Sequence, residues 1–254
     1  MNHVVIGDAT LFHGDCMDYM CNLPDNVFDL AIVDPQYGIN APSMSMGQNK
    51  NRSDGWARED STAVRIKKGR LNSGGGKLKN RVLNTSNIDW DDAVPDDDYF
   101  IELMRVSKNQ IIWGGNYFDL GPTRCVLCWD KKQPWENFSQ WEMAWTSFDQ
   151  PAALFSYSNT GGGNSETKTH PTQKPIALYS WILSRFAKTG DRILDTHGGS
   201  MSSVVACLQL GFEVTCCERD SGYFETACER IEQAVAQGQL FEPERAKQIQ
   251  ESLV

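Results

Sequence analysis

The chain has 254 residues, 24 Lys+Arg against 33 Asp+Glu for a formal net charge of −9, and 8 cysteines. At 40% hydrophobic and 22% charged it suits one sizeable domain with its own core and excludes a disordered or fibrous chain. No apolar run is long enough for a membrane span, Met1 to Asp15 lack the pattern of a secretory signal, and the scattered cysteines favour reduced, cytoplasmic thiols over a disulfide framework.

Ala9 to His13 reads as a strand, Met17 to Leu23 as a short helix, and Val27 to Val33 as a nearly continuous apolar strand broken by Asp29. Such a strand suits a parallel sheet covered on both faces. It must stop at Asp34-Pro35-Gln36-Tyr37, because Pro35 has no amide hydrogen for the ladder and restricts Asp34. The next stretch, about residues 40–88, is polar, contains Gly74-Gly75-Gly76 and has no hydrophobic period, so a basic, flexible insertion is expected there. Residues 50–81 hold ten basic residues (Lys50, Arg52, Arg58, Arg65, Lys67, Lys68, Arg70, Lys77, Lys79, Arg81) against three acids, a net +7 that leaves −16 for the remainder. Composition alone allows either a solvated loop or an electrostatic arm for a polyanion.

Asp96 to Val106 has helical spacing, and Gln110 to Trp113, Arg124 to Trp129 and Glu142 to Thr146 read as strands. Residues 156–169 are loop-like around Gly161-Gly162-Gly163. Pro175 to Phe186 is an apolar-periodic helix, Arg192 to Asp195 a short strand, Met201 to Leu210 a helix stopped by Gly211, Phe212 to Cys217 a strand, and Ser221 to Gln237 a helix. This strand–helix alternation predicts right-handed crossovers and a parallel sheet. Cys125-Val-Leu-Cys128 has Cys-x-x-Cys spacing, but no second pair or histidine stands at zinc spacing, so no metal site is expected.

Two strand ends carry chemistry. At Asp195-Thr-His-Gly-Gly-Ser200 a strand enters a glycine-rich turn that opens a helix, and Glu218 ends the following strand. That pattern fits a nucleotide-type ligand with ribose hydroxyls, although strand–turn–helix units are also common as plain structure. An acid heading the turn repels phosphate and welcomes a cationic amine or sulfonium. At Asp34-Pro35-Gln36-Tyr37, a carboxylate and a carbonyl can both accept from one exocyclic amino group while the aromatic stacks on its ring; a strand-ending turn with a packed tyrosine is the plainer alternative.

Together these segments resemble the β-class S-adenosylmethionine-dependent DNA amino-methyltransferases. Asp34-Pro-Gln-Tyr37 is similar to that family's Asp-Pro-Pro-Tyr, His170-Pro-Thr-Gln-Lys-Pro175 to its motif X, and Asp195 to Ser200 to its motif I. His13-Gly-Asp-Cys16, Leu23-Pro-Asp-Asn-Val-Phe-Asp-Leu30 and Trp113-Gly-Gly-Asn-Tyr-Phe118 share its look, with Trp129-Asp-Lys131 and Glu142-Met-Ala-Trp145 as weaker echoes. The departures are Gln36 for the usual second proline and His197 where an aromatic is common.

The resemblance implies a single α/β domain over residues 1–254 with a Rossmann-like methyltransferase fold: a mostly parallel twisted sheet, helices on both faces, and the circularly permuted motif order. It implies that Asp34 and the Pro35 carbonyl hold the target amino group, with Gln36 supplying backbone and Tyr37 stacking on the base. Asp195, Gly198 and Ser200 would lie by the methionine part of S-adenosyl-L-methionine, and Glu218 by its ribose. Asp15 and Cys16 would border its adenine, and Thr172 and Lys174 its carboxylate, with His170 shaping the turn. The implied partner is double-stranded DNA. It would be held by Lys50, Arg52, Arg65, Lys67, Lys68, Arg70, Lys77, Lys79 and Arg81 in the arm and by Lys131 and Lys132 in a short target-recognition region, about residues 131–169. Base flipping brings the target amino group out of the duplex. Adenine N6 is the implied target, cytosine N4 the alternative, and a catalytically inactive DNA-binding module a third reading. Proteins of this class often pair, so the resemblance leaves a homodimer open, and it implies a cytoplasmic bacterial or phage-encoded setting.

Overall fold

A computed structural model describes residues 2–39, 93–133, 139–158, 166–170 and 172–238. The chain divides into two units: Met1–Pro35, Pro95–Pro134 and Gln140–Val254 form the first, and Gln36–Val94 with Trp135–Ser139 the second. Every described helix and strand lies in the first. In chain order they are β1 (Asn2–Ile6), β2 (Ala9–His13), α1 (Cys16–Met20), β3 (Phe28–Val33), α2 (Asp97–Val106), β4 (Ser107–Trp113), a 3-10 turn (Gly115–Tyr117), β5 (Val126–Asp130), β6 (Trp141–Thr146), β7 (Ala153–Ser156), α3 (Ile176–Phe186), β8 (Arg192–Asp195), α4 (Ser202–Leu210), β9 (Glu213–Glu218) and α5 (Ser221–Gly238).

The strands form one sheet in the order β1-β2-β9-β8-β3-β4-β6-β5-β7. The central five, β2, β9, β8, β3 and β4, are parallel. On one flank β1 is antiparallel to β2; on the other β6 is antiparallel to β4 and β5, and β7 runs parallel to β5. Alternate residues of β3 serve opposite faces, as strand geometry requires. Leu30 and Ile32 join Trp113, Ile193 and Val214 beneath α3, α4 and α5, through Leu178, Ile182, Val204 and Ile231. Ala31 and Val33 join Ile112 and Leu194 beneath α1 and α2, through Met20, Tyr99 and Leu103. Both faces of the central strands are therefore dry, which is why they read as unbroken apolar runs.

Asp29, the one acid in β3, ties three strands together at their entry. Its Oδ1 accepts from Lys108 Nζ at 2.6 Å and its Oδ2 from the Arg192 amide at 2.9 Å. The Arg192 amide and the Lys108 ammonium hold its carboxyl below the ordinary range.

The fold departs from the sequence reading mainly at its margins. β1 and β7 are additions to the elements expected from sequence, because an edge strand needs no apolar alternation; Val4 and Val5 are exposed. α1 ends at Met20 rather than Leu23. β4 begins at Ser107, directly after α2, because its polar start is paired rather than solvated: Ser107 Oγ donates to Leu103 O, and Gln110 Nε2 to Ser107 O at 2.6 Å. Among the described residues no helix is long and apolar enough to cross a membrane.

Candidate active site

β3 and β8 are adjacent, with Leu30 opposite Ile193 and Ala31 opposite Leu194. From β3 the chain moves outward to β4, and from β8 it moves the other way to β9. Neighbouring parallel strands whose connections depart in opposite directions leave a crevice at their carboxyl ends, where open α/β sheets bind ligands. Asp34 follows β3 at that edge and Asp195 closes β8.

The Asp34 side is built around a buried ammonium. Lys174, in the loop entering α3, has 2% of its side chain exposed; its Nζ lies 2.5 Å from Asp34 Oδ2 and 3.0 Å from Glu142 Oε2. The second of these is a charge contact rather than a well-angled hydrogen bond. Nζ also stands 5.2 Å over the Trp113 ring. Glu142, on β6, pairs through Oε1 with Lys131 Nζ, which lies 5.5 Å from the Trp129 ring centre. Burial alone would push the Glu142 carboxyl up, but Lys174 and Lys131 outweigh it and hold it at about 2. Burial would likewise lower Lys174, and the charges of Asp34 and Glu142 reverse that and raise it.

On the other side of the crevice Asp195 is buried. Its Oδ1 accepts from the His197 amide at 3.0 Å and its Oδ2 from the Ser203 hydroxyl. Burial raises its carboxyl to about 7 against those two bonds, with Asp34 and Glu218 adding to the rise. Glu218, ending β9, receives the Gly199 amide on Oε2 at 2.6 Å and the Asp220 amide on Oε1 at 2.8 Å; burial raises it too. Each carboxylate oxygen keeps further acceptor capacity beyond one bond. Gly198 has no room for a side chain, since a Cβ there would meet Cys216 Sγ at 2.7 Å. Carboxyls held above their ordinary range by burial favour a cationic ligand, whose charge would restore their ionised forms. The donor set therefore fits a sulfonium and amine carried on a ribose.

The His170 loop is stapled to this turn. Arg230 on α5 donates to Ser200 O at 2.6 Å, to Ser202 Oγ at 3.1 Å and to Glu166 Oε2 at 3.2 Å. Glu166 Oε1 in turn accepts the Ile176 amide at 2.9 Å and so caps α3, whose N-cap Pro175 has no side-chain acceptor. Gln173 Oε1 accepts the Thr169 amide at 2.8 Å. His170 packs edge-on against Tyr223, with rings 4.3 Å apart, and its Nδ1 meets Thr172 Oγ1 at 3.2 Å. Burial, then the charge of Lys174, holds its imidazole down at about 4, hence neutral at physiological pH. His197 is likewise held at about 4 by burial, its Nδ1 2.9 Å from Thr196 Oγ1.

Asp15 caps α1, accepting the Met17 amide at 2.9 Å, and Arg219 Nη1 lies 3.9 Å from its Oδ2. Burial, then Asp15, pushes the adjacent Cys16 thiol up to about 12, a packing sulfur rather than a nucleophile. Gln36 and the half-buried Tyr37 follow Pro35 in the second unit. The resemblance implies Lys174 near a cofactor carboxylate; in the structure its ammonium lies on Asp34 and Glu142, because a buried cation needs an anion within reach. Lys131 was expected on a DNA-facing surface, but it is 8% exposed and paired with Glu142; Lys132 is exposed and pairs with Asp130 at 2.8 Å. The basic residues at 50–81 lie outside the described residues. Glu142 stands as an acid inside the largely apolar β6, a signal readable in the sequence beyond its weak motif echo, whereas Ser203, Glu166 in a loop and Arg230 on a charged helix carry no such mark. Among the described residues no cluster of three or more His, Cys, Asp or Glu is placed to hold a metal ion.

A family model described as DNA methylase, covering N6/N4 methyltransferases, matches residues 42–229. The type II methyltransferase M2.MboI of Moraxella bovis is 23% identical over 249 residues, 87% of this chain and 86% of the relative. M.HpaI of Haemophilus parainfluenzae is 32% identical over 82 residues, 32% of this chain and 26% of the relative. Among solved structures, the M1.HpyAVI–SAM complex superposes with a TM-score of 0.51 at 17% identity, covering 88% of this chain and 98% of that one. The cytosine-N4-specific PvuII DNA methyltransferase gives 0.50 at 11% identity, covering 90% and 92%. The likeness is one of fold, and it is the Rossmann-like methyltransferase fold expected from the sequence.

Proposed function

This chain belongs to the DNA methylase family of N6/N4 amino-methyltransferases, and on that premise we propose that it transfers a methyl group from S-adenosylmethionine to the N6 amino group of adenine in double-stranded DNA. The observation that carries the reading is the adjacency of Asp34 and Asp195 at the carboxyl ends of β3 and β8, one suited to an amine and the other to a cation.

An exocyclic amino group is a poor nucleophile because its lone pair is delocalised into the ring. Asp34 and the Pro35 carbonyl accept its two N–H bonds, which favours a more tetrahedral nitrogen and builds electron density there. Tyr37 stacks on the flipped base and Gln36 contributes backbone. S-adenosylmethionine supplies an electrophilic methyl on a sulfonium. Asp195, Gly198 and Ser200 hold its methionine part, Glu218 its ribose hydroxyls, and Asp15 and Cys16 border its adenine, with His170 and Thr172 shaping the wall. Asp34 is the base within reach of the proton that the nitrogen must shed. Positioning and electrostatics carry the rate, and neither a metal nor a thiol enters. The +7 segment at 50–81 meets the phosphate backbone and offsets the acidic remainder.

By the pattern of the family that the motifs resemble, Asp rather than Ser at position 34 favours adenine. Cytosine N4 offers the same pair of hydrogens, and the PvuII enzyme of like fold is by its title cytosine-N4-specific. Labelled methyl transfer to unmethylated duplex DNA, followed by nucleoside analysis, tests the reading: N6-methyladenine is expected, absent with Asp34→Ala. N4-methylcytosine would correct the base, and tight duplex binding without transfer would refute the enzyme.

A further inference from the structure

The four charges Lys131, Glu142, Lys174 and Asp34 alternate in sign along one line that sums to zero, its two lysines buried and its two acids part-buried. They come from four places in the chain: the end of β5, the strand β6, the loop entering α3 and the end of β3. The Lys131–Glu142 end of the line is held by the sheet. β5 and β6 pair with Trp129 opposite Glu142, the Lys131 amide donates to Gln140 O at 2.9 Å, and each ammonium is backed by an indole, Trp129 or Trp113. Removing one partner from a buried charged pair strands the other, so such a line persists only with all members present.

We propose that Lys174, Glu142 and Lys131 are positioning residues that fix the orientation of Asp34 and balance the charge beside it. Lys174 pins one carboxylate oxygen and sets a positive charge beside it. Glu142 takes part of the Lys174 charge, so that Asp34 is not neutralised as an acceptor, and Lys131 balances Glu142. The other titratable groups that act electrostatically here are Asp195 on β8, whose carboxyl Asp34 raises further, Tyr179 on α3, and His170, whose imidazole Lys174 helps hold down; the last two are neutral near pH 7. The importance of the line for methyl transfer rests on the proposed role of Asp34, but its effect on Asp34 does not.

The test follows the Asp34 carboxyl by carbon-13 NMR, its signal identified by its loss in Asp34→Asn, alongside the acid limb of kcat. Lys174→Met is expected to raise the Asp34 titration and the acid limb by about 1–3 pH units, the range for loss of an adjacent opposite charge. Glu142→Gln is expected to move both the other way. The double variant, again neutral, is expected to return them towards the wild-type value. A merely structural role would make the double variant no better than the worse single one. Should Lys174→Met not fold, Glu142→Gln keeps both lysines and the packing volume and carries the test with opposite sign. An unmoved Asp34 titration in a folded variant, or no reversal in the double, overturns the proposal even if the enzyme methylates DNA. A titration that moves as described in a protein that transfers no methyl group refutes the function and leaves the line standing.

Discussion

Asp195→Asn tests the electrostatics of the crevice directly. Asp195 is buried, and its carboxyl is raised from the ordinary 3.8 to about 7. A group that binds its proton more tightly when folded stabilises the native state below the unfolded value and loses that contribution as pH rises through the folded one. At about 1.4 kcal/mol per pH unit, the loss between 3.8 and about 7 amounts to roughly 4 kcal/mol, of which about 3 falls between pH 5 and pH 8. Asparagine cannot ionise, so wild type should lose about 3 kcal/mol relative to Asp195→Asn over that interval. Urea unfolding of both proteins at pH 5, 6, 7 and 8, with the difference plotted against pH, measures it. A saturating cationic S-adenosyl ligand should flatten the plot, because its charge favours the ionised carboxyl. A difference independent of pH would refute the argument and mean that the His197 amide and the Ser203 hydroxyl stabilise the anion as well as water does.

Arg230→Met should cost about 2 kcal/mol, since it removes charge-assisted bonds to Ser200 O and Glu166 while an unbranched apolar stem remains. Thermal unfolding should show a Tm lower by about 4–8 °C, with weaker S-adenosyl ligand binding by calorimetry, and an unchanged Tm would show the staple to be ornamental. Neutralising Lys67, Lys68 and Arg70 together should weaken duplex binding across all sequences and reduce the steepness of its salt dependence; equal affinity and slope would make that segment a linker.

The central strands and their ends were legible because burial on both faces leaves an apolar run that needs no partner to be recognised, and because a proline or a glycine turn marks where it stops. Thus β3 with Asp34, β8 with Asp195 and β9 with Glu218 were placed from residues alone. The edge strands β1 and β7 left no such mark, since an outer strand can present mixed residues to solvent. Helix starts were legible where the cap was local, as at Asp96, whose side chain accepts the Tyr99 amide. α3 hides its cap, because the acceptor is Glu166, ten residues upstream.

Charge partners mark the division most plainly. That Lys174 belongs to a distinctive segment was readable from the residues around it; that its ammonium rests on Asp34, 140 residues earlier, was not. Nor was the burial of Lys131 against Glu142, which turned an expected surface contact into an internal pair. Periodicity and turn chemistry are local and survive in the linear sequence, whereas the sheet order that brings β3 beside β8, and β6 beside β4, is set by non-local pairing. The sequence alone determined which residues stand at strand ends and what chemistry they can offer. The tertiary structure decided which of them share one low-dielectric crevice, where a buried cation such as Lys174 takes its counter-charges from neighbouring strands and a buried acid such as Asp195 is held closer to neutral.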